Sequence, residues 1–162
     1  MSAWEDGPAE ETEDPAELLA ELLEEVADSF GLSCEVVVEA GDGVLRGRLE
    51  GEDVGAVIGR HGQTIDALQH LAQRIVFQGG ESSTRVVLDA DGYRERRERT
   101  LREEADGAAE EALRSGHAVE LAPMPASERR VVHEHLRERG DVSTQSEGEE
   151  PERRLVVSPL GD

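Results

Sequence analysis

Two short constellations in this chain carry residue types and spacings suited to holding a polyanion. The first is Val57-Ile58-Gly59-Arg60-His61-Gly62-Gln63-Thr64, in which two glycines bracket an arginine and a histidine. Ile65, Leu68, Leu71, Ala72, Ile75 and Val76 follow at intervals of three and four, which predicts one apolar face of a helix of about four turns. Gly62 is then the last loop residue before a helix N-terminus. The first N–H groups of such a helix lack internal partners and its dipole is positive there, so a phosphate fits. The glycines remove side chains that would hold a sugar-phosphate backbone away. Arg60 offers phosphate a planar fork of donors, and His61 can stack or donate. Gln63 and Thr64, at the helix start, belong to the same candidate site. A plain Gly-bounded turn between two helices has the same bare pattern; the cation inside the loop favours phosphate.

The second constellation is Pro123-Met124-Pro125-Ala126-Ser127-Glu128-Arg129-Arg130-Val131-Val132-His133. Arg129 and His133 are four apart and share one face of a helix that Ser127 is expected to cap. Val131, Val132 and Leu136 supply its core side, and Arg130 stands beside the pair. His133 and His135 invite a metal site, but two residues on a helix are about 200° apart, and no cysteine lies near to complete one. The chain has no lysine, which excludes a P-loop. Its carboxylates fall in charged helical faces and tails without an acid/base pair. The expectation is a binding protein, not an enzyme, with no cofactor and no metal.

The elements that must position these residues are legible in order. Residues 1–14 mix acids with Pro and Gly and are expected to be a disordered acidic tail, with Trp4 solvated in it. Asp14-Pro15 opens a helix with its apolar stripe at Leu18, Leu19, Leu22, Leu23 and Val26, closed by Gly31. Cys34–Val38 reads as a strand, Gly41-Asp42-Gly43 as a hairpin turn, and Val44–Leu49 as the returning strand with Arg46 and Arg48 on one face. Val54–Ile58 is a short helical turn delivering the chain into Gly59. After the long helix, Gly79-Gly80 breaks the pattern and Val86–Leu88 makes a third strand. Tyr93–Ser115 is a charged helix in which Arg94, Arg96, Arg97, Arg99 and Arg102 alternate with glutamates. It reads as a solvated helix laced with i,i+4 pairs, or as a basic patch. A strand at His117–Leu121, the Ser127 helix, and paired strands Val142–Glu147 and Arg153–Val157 complete the chain. Gln145, Ser146, Arg153 and Arg154 are candidates for further sugar or phosphate contacts, or a plain hairpin.

Residues 15–90 run helix, strand, strand, helix, Gly-x-x-Gly, helix, strand, and this resembles a type II KH domain. The resemblance implies a three-stranded sheet backed by helices, with a groove for bases beside a loop that clamps the nucleic-acid backbone. The loop here departs from the usual pattern in having no lysine. The Arg-x-x-x-His motif, its flanking Pro-Met and Glu-Arg-Arg, and the two closing strands resemble an R-three-H domain, a small α/β module with a three-stranded sheet that binds single-stranded nucleic acid. It would occupy residues 91–162, including the leading charged helix. In it Arg129 and His133 would face the ligand and Arg130 support them. The fold class is therefore α+β, and the two modules in this order resemble the bacterial Jag/KhpB family. That resemblance implies a cytoplasmic single-stranded RNA-binding protein, an RNA chaperone or post-transcriptional regulator. It also implies a small single-KH-domain partner protein and roles in cell elongation, cell shape and cell-wall homeostasis.

Charge pulls the other way. The formal net charge is -21, all 17 basic residues are arginine, and residues 1–30 hold eleven acids and no base. Long-range steering of a polyanion is poor on such a chain, so binding must rest on local arginines and backbone donors. The competing expectation is an acidic adaptor for a membrane insertase or ribosomal proteins; single-stranded DNA in place of RNA also stays open. No apolar run is long enough to span a bilayer, so no membrane insertion is expected. The single Cys34 is expected to be a buried, reduced thiol.

Overall fold

A computed structural model describes residues 14–80 and 82–161. The acidic stretch expected to be disordered, with Trp4, lies outside the described residues except for Asp14. The chain divides into two compact units, with the boundary between Asp91 and Gly92.

In the first unit the order is α1 (Pro15–Phe30), β1 (Glu35–Gly41), β2 (Val44–Glu50), α2 (Gly55–Ile58), α3 (Gln63–Val76) and β3 (Arg85–Ala90). Asp14 caps α1 by accepting the Ala16 N–H, and Gly31 ends it in the left-handed conformation. Asp42 and Gly43 both have positive φ, the two-residue turn whose twist matches antiparallel strands, so β1 and β2 form a tight hairpin. β3 then pairs parallel to β2, a register that requires the helical crossover α2–α3. The sheet order is β1-β2-β3. β2 alternates cleanly: Leu45, Gly47 and Leu49 are buried while Arg46 is exposed. Gly47 is glycine because α1 comes so close; a Cβ there would lie 2.6 Å from Leu23 Cδ1 and 2.8 Å from Leu88 Cδ2.

The second unit runs α4 (Tyr93–Ser115), β4 (Val119–Glu120), α5 (Ala126–Arg137), β5 (Val142–Glu147) and β6 (Arg154–Pro159). Its three strands are antiparallel in the order β4-β6-β5. α4 buries Leu101, Ala105, Ala108, Ala109 and Ala112, a stripe of small side chains that lets it lie close on the sheet. All of these but Ala112 pack with Met124, Val132, Leu136, Val142, Leu155 and Val157 in one core. α+β architecture with two three-stranded sheets is therefore as the sequence implied.

Four local expectations need correction. Cys34 precedes β1 and is only half-buried. The strand expected at His117–Leu121 pairs only over Val119–Glu120. Ser127 does not cap α5; Pro125 occupies that position and no side chain bonds there, because the proline fixes the turn two residues earlier. Leu71 and Ile75 share the apolar period of α3 yet are 54% and 50% exposed, since the stripe on this helix is wider than the surface it covers.

Candidate nucleic-acid interface

The Gly-x-x-Gly stretch is a hard turn held at both ends. Val57 and Ile58 are buried and anchor its entry. Gly59 has φ 70 and ψ -177, a combination essentially reserved for glycine, and a Cβ there would lie 2.7 Å from the Thr64 Cβ. Thr64 thus fills the space that a side chain on Gly59 would need. The Gly62 N–H donates to the Gly59 carbonyl, and the Gln63 N–H to the Arg60 carbonyl. His61 and Gly62 both take left-handed φ. The curl buries Gly62 as the N-cap of α3, leaves Arg60 and Gln63 exposed, and leaves His61 half-exposed. No side chain caps this helix start. An uncapped helix start and one exposed cation therefore stand where the chain turns.

Beside that turn, α3 lays two glutamines along the outer edge of β3. Gln73 accepts the Val86 N–H at 2.6 Å and donates to the Thr84 carbonyl at 3.0 Å. Gln69, one helical turn earlier, accepts the Leu88 N–H at 2.9 Å. The side-chain amides act as a missing strand for an edge that would otherwise present bare peptide groups.

The second unit gathers the other candidates. Arg129, Arg130, His133, Thr144, Ser146 and Leu155 line an open hollow of about 370 Å³ between α5 and β5. Helix spacing brings Arg129 and His133 to it, and strand alternation brings Thr144 and Ser146. His133 Nδ1 bonds the Thr144 hydroxyl. Arg129 is almost wholly buried: it donates to the Met124 carbonyl at 2.9 Å and to Glu150 at 2.6 Å. That hydrogen bond pulls the Glu150 carboxyl below its ordinary value, against a smaller opposing effect of desolvation. Arg130 is exposed and paired with Glu134 at 2.8 Å, which lowers the Glu134 carboxyl and raises the guanidinium. Arg153 donates to the Gly148 and Ser146 carbonyls, and Arg154 pairs with Glu120. His133 and His135 point apart, the latter lying 3.0 Å from Asp106 of α4.

Several partners escape sequence reasoning because they come from distant positions. Buried Glu128 takes both arms of Arg97, at 2.7 and 2.9 Å, from 31 residues away. The acid of the Glu-Arg-Arg run thus ties α5 to α4, and Arg97 is not part of a basic patch. Glu150 meets Arg129 across 21 residues. Gln69 and Gln73 carry the one readable signal, two amides a turn apart on a helix with an apolar face.

Comparison with known proteins adds a separate line of support. Residues 16–88 match the KhpA/KhpB KH domain and residues 99–159 match the R-three-H domain. The chain is 39% identical over 140 residues to the RNA-binding protein KhpB of Lactiplantibacillus plantarum, covering 86% of this chain and 44% of that protein. It is 38% identical over 140 residues to KhpB of Clostridium symbiosum, 85% of this chain and 63% of that one. With KhpB of Bacillus subtilis the identity is 31% over 147 residues, 90% of this chain and 71% of the relative. The first two relatives are therefore considerably longer than the matched region.

Proposed function

The chain belongs to the KhpB family, and from that membership we propose that it binds single-stranded RNA through one site on each unit. The observation that carries the reading is the turn at Gly59–Gly62, which leaves the start of α3 without a side-chain cap and Arg60 exposed beside it. A phosphate there meets the positive end of the α3 dipole and a fork-shaped cation, while Gly59 and Gly62 place no side chain in the way. The hollow of Arg129, Arg130 and His133 holds a second stretch of the strand. Two weak sites on one chain combine through effective concentration when a single strand engages both. RNA is preferred to single-stranded DNA because the relatives are named RNA-binding proteins; neither site has a group dedicated to the 2′-hydroxyl. Such binding suits a cytoplasmic RNA chaperone or post-transcriptional regulator. The small single-KH partner and the links to cell elongation, cell shape and cell-wall homeostasis follow from the family resemblance.

One observation favours a second reading. Arg48, Arg97, Arg102, Arg114, Arg129, Arg130, Arg139 and Arg154 are all paired with carboxylates of the same chain. The surface left over is acidic and would suit a basic partner such as an insertase tail or a ribosomal protein.

Fluorescence anisotropy with a labelled single-stranded RNA of mixed sequence, at low and moderate salt, separates the two. Arg60→Glu should weaken binding roughly ten-fold, and His133→Ala by a smaller factor. Both positions leave the core intact. Absence of binding by folded wild type would remove the RNA reading and leave the adaptor.

A further inference from the structure

Beyond His133 the channel between α5 and β5 does not close. A second hollow of about 320 Å³ is lined by His133, Leu136, Arg137, Val142, Thr144 and Leu160. It shares His133 and Thr144 with the first, so their hydrogen-bonded pair is the common wall. We propose that this second hollow is a nucleotide subsite, in which Arg137 takes a backbone phosphate and Leu160 supports a base or ribose. The inference rests on the RNA reading of the first hollow and extends it by one position along the strand.

Three features point to it. Arg137 follows His133 by the same four residues that separate His133 from Arg129, so all three occupy one helix face over about 12 Å. Strand alternation runs alongside in the opposite direction, with Ser146 and Thr144 at the first hollow and Thr144 and Val142 at the second. A strand lying along this channel thus passes from one hollow directly to the other.

The second feature is the state of the cation. Arg129 and Arg130 each hold a carboxylate, whereas Arg137 is exposed and in no ion pair among the described residues. Glu134, three residues before it, is hydrogen-bonded to Arg130 instead. On a chain of net charge -21 an uncommitted arginine beside the motif face is well placed for phosphate.

The third feature is apolar surface at the same spot. Leu136 and Val142 form the floor, and Leu160 stands 52% exposed at the lip. Its backbone is held in place, the Leu160 N–H donating to the Asp141 carbonyl at 3.0 Å. A fixed, exposed leucine next to a cation offers a face to a base or sugar while the guanidinium takes the charge.

The test is an anisotropy titration of the full chain with labelled mixed-sequence single-stranded RNA across a salt series. Arg137→Ala, Leu160→Ser and the charge control Arg114→Ala would be run beside wild type, each checked by circular dichroism melting. Arg137→Ala should weaken binding about three- to ten-fold and reduce the salt slope by about one. Leu160→Ser should weaken it about three-fold with the slope unchanged, because no counterion is involved. Arg114→Ala removes the same charge from α4 and should do neither. If wild type binds and Arg137→Ala matches Arg114→Ala, the subsite is refuted and the reading of the first hollow stands. If folded wild type does not bind, both fall together.

Discussion

Arg129, proposed for recognition, also has a structural role. Its guanidinium is buried, bonded to the Met124 carbonyl and ion-paired with Glu150, yet it lines the hollow. Replacing it by alanine would leave the Met124 carbonyl without that donor at a cost of about 1–3 kcal/mol, so lost binding in that variant could be lost fold. Glu150→Gln is the more informative change. It removes the competing carboxylate and leaves the Met124 contact in place. RNA affinity at low salt should rise by roughly three-fold or more, with a steeper salt dependence. A decrease would mean that Glu150 positions Arg129 and does not compete for it. Gly59 makes the complementary point: its conformation and its contact with Thr64 demand glycine whether or not a phosphate is bound.

Among the elements, α3 has two tasks, presenting its N-terminus to the turn and closing the edge of β3 with Gln69 and Gln73. Gln73→Leu removes the acceptor for Val86 and the donor to Thr84 in a part-buried setting. It should destabilise the first unit by about 1–3 kcal/mol. Amide hydrogen exchange should accelerate at Val86 while the second unit keeps its protection; unchanged exchange would show that water replaces the glutamine without cost. The order of elements was legible in the sequence because period, caps and the Asp42-Gly43 turn all act locally. So was Gly62 as the last residue before α3. The exposure of Leu71 and Ile75, the engagement of Arg129 by Glu150, and the Arg97–Glu128 tie were not legible. Each depends on a surface or partner supplied by a distant segment, and spacing carries no information about that. The Ser127 cap failed for a smaller reason, a proline at 125 that already starts the turn.

For the molecule as a whole, charge governs both stability and partners. At neutral pH the net charge of -21 repels itself, and surface ion pairs offset little of that. The Glu39, Glu134, Asp141 and Glu150 carboxyls are held below their ordinary values, chiefly by hydrogen bonds from Arg48, Arg130, Arg139 and Arg129 respectively. A carboxyl with a depressed folded pKa stabilises the fold above its unfolded value, near pH 4, and loses that contribution as pH falls through the folded value. Lowering pH from 7 first relieves repulsion and only then breaks these pairs. The Tm should therefore peak at about pH 5 and fall below about pH 4. Added salt should raise it at pH 7 by screening. A Tm that falls with salt at pH 7 would show that the ion pairs outweigh the repulsion.

The central claim is that two separate sites, the Gly59–Gly62 turn and the α5–β5 channel, contact one class of ligand. The most direct measurement is an amide nitrogen–proton correlation spectrum of the full chain, titrated with unlabelled single-stranded RNA. The account predicts two clusters of concentration-dependent shifts, one across residues 59–64 and one across residues 126–146, with the acidic helix α1 unmoved. Shifts confined to one cluster would reduce the protein to a single site. A spectrum unchanged at saturating RNA would contradict the account outright.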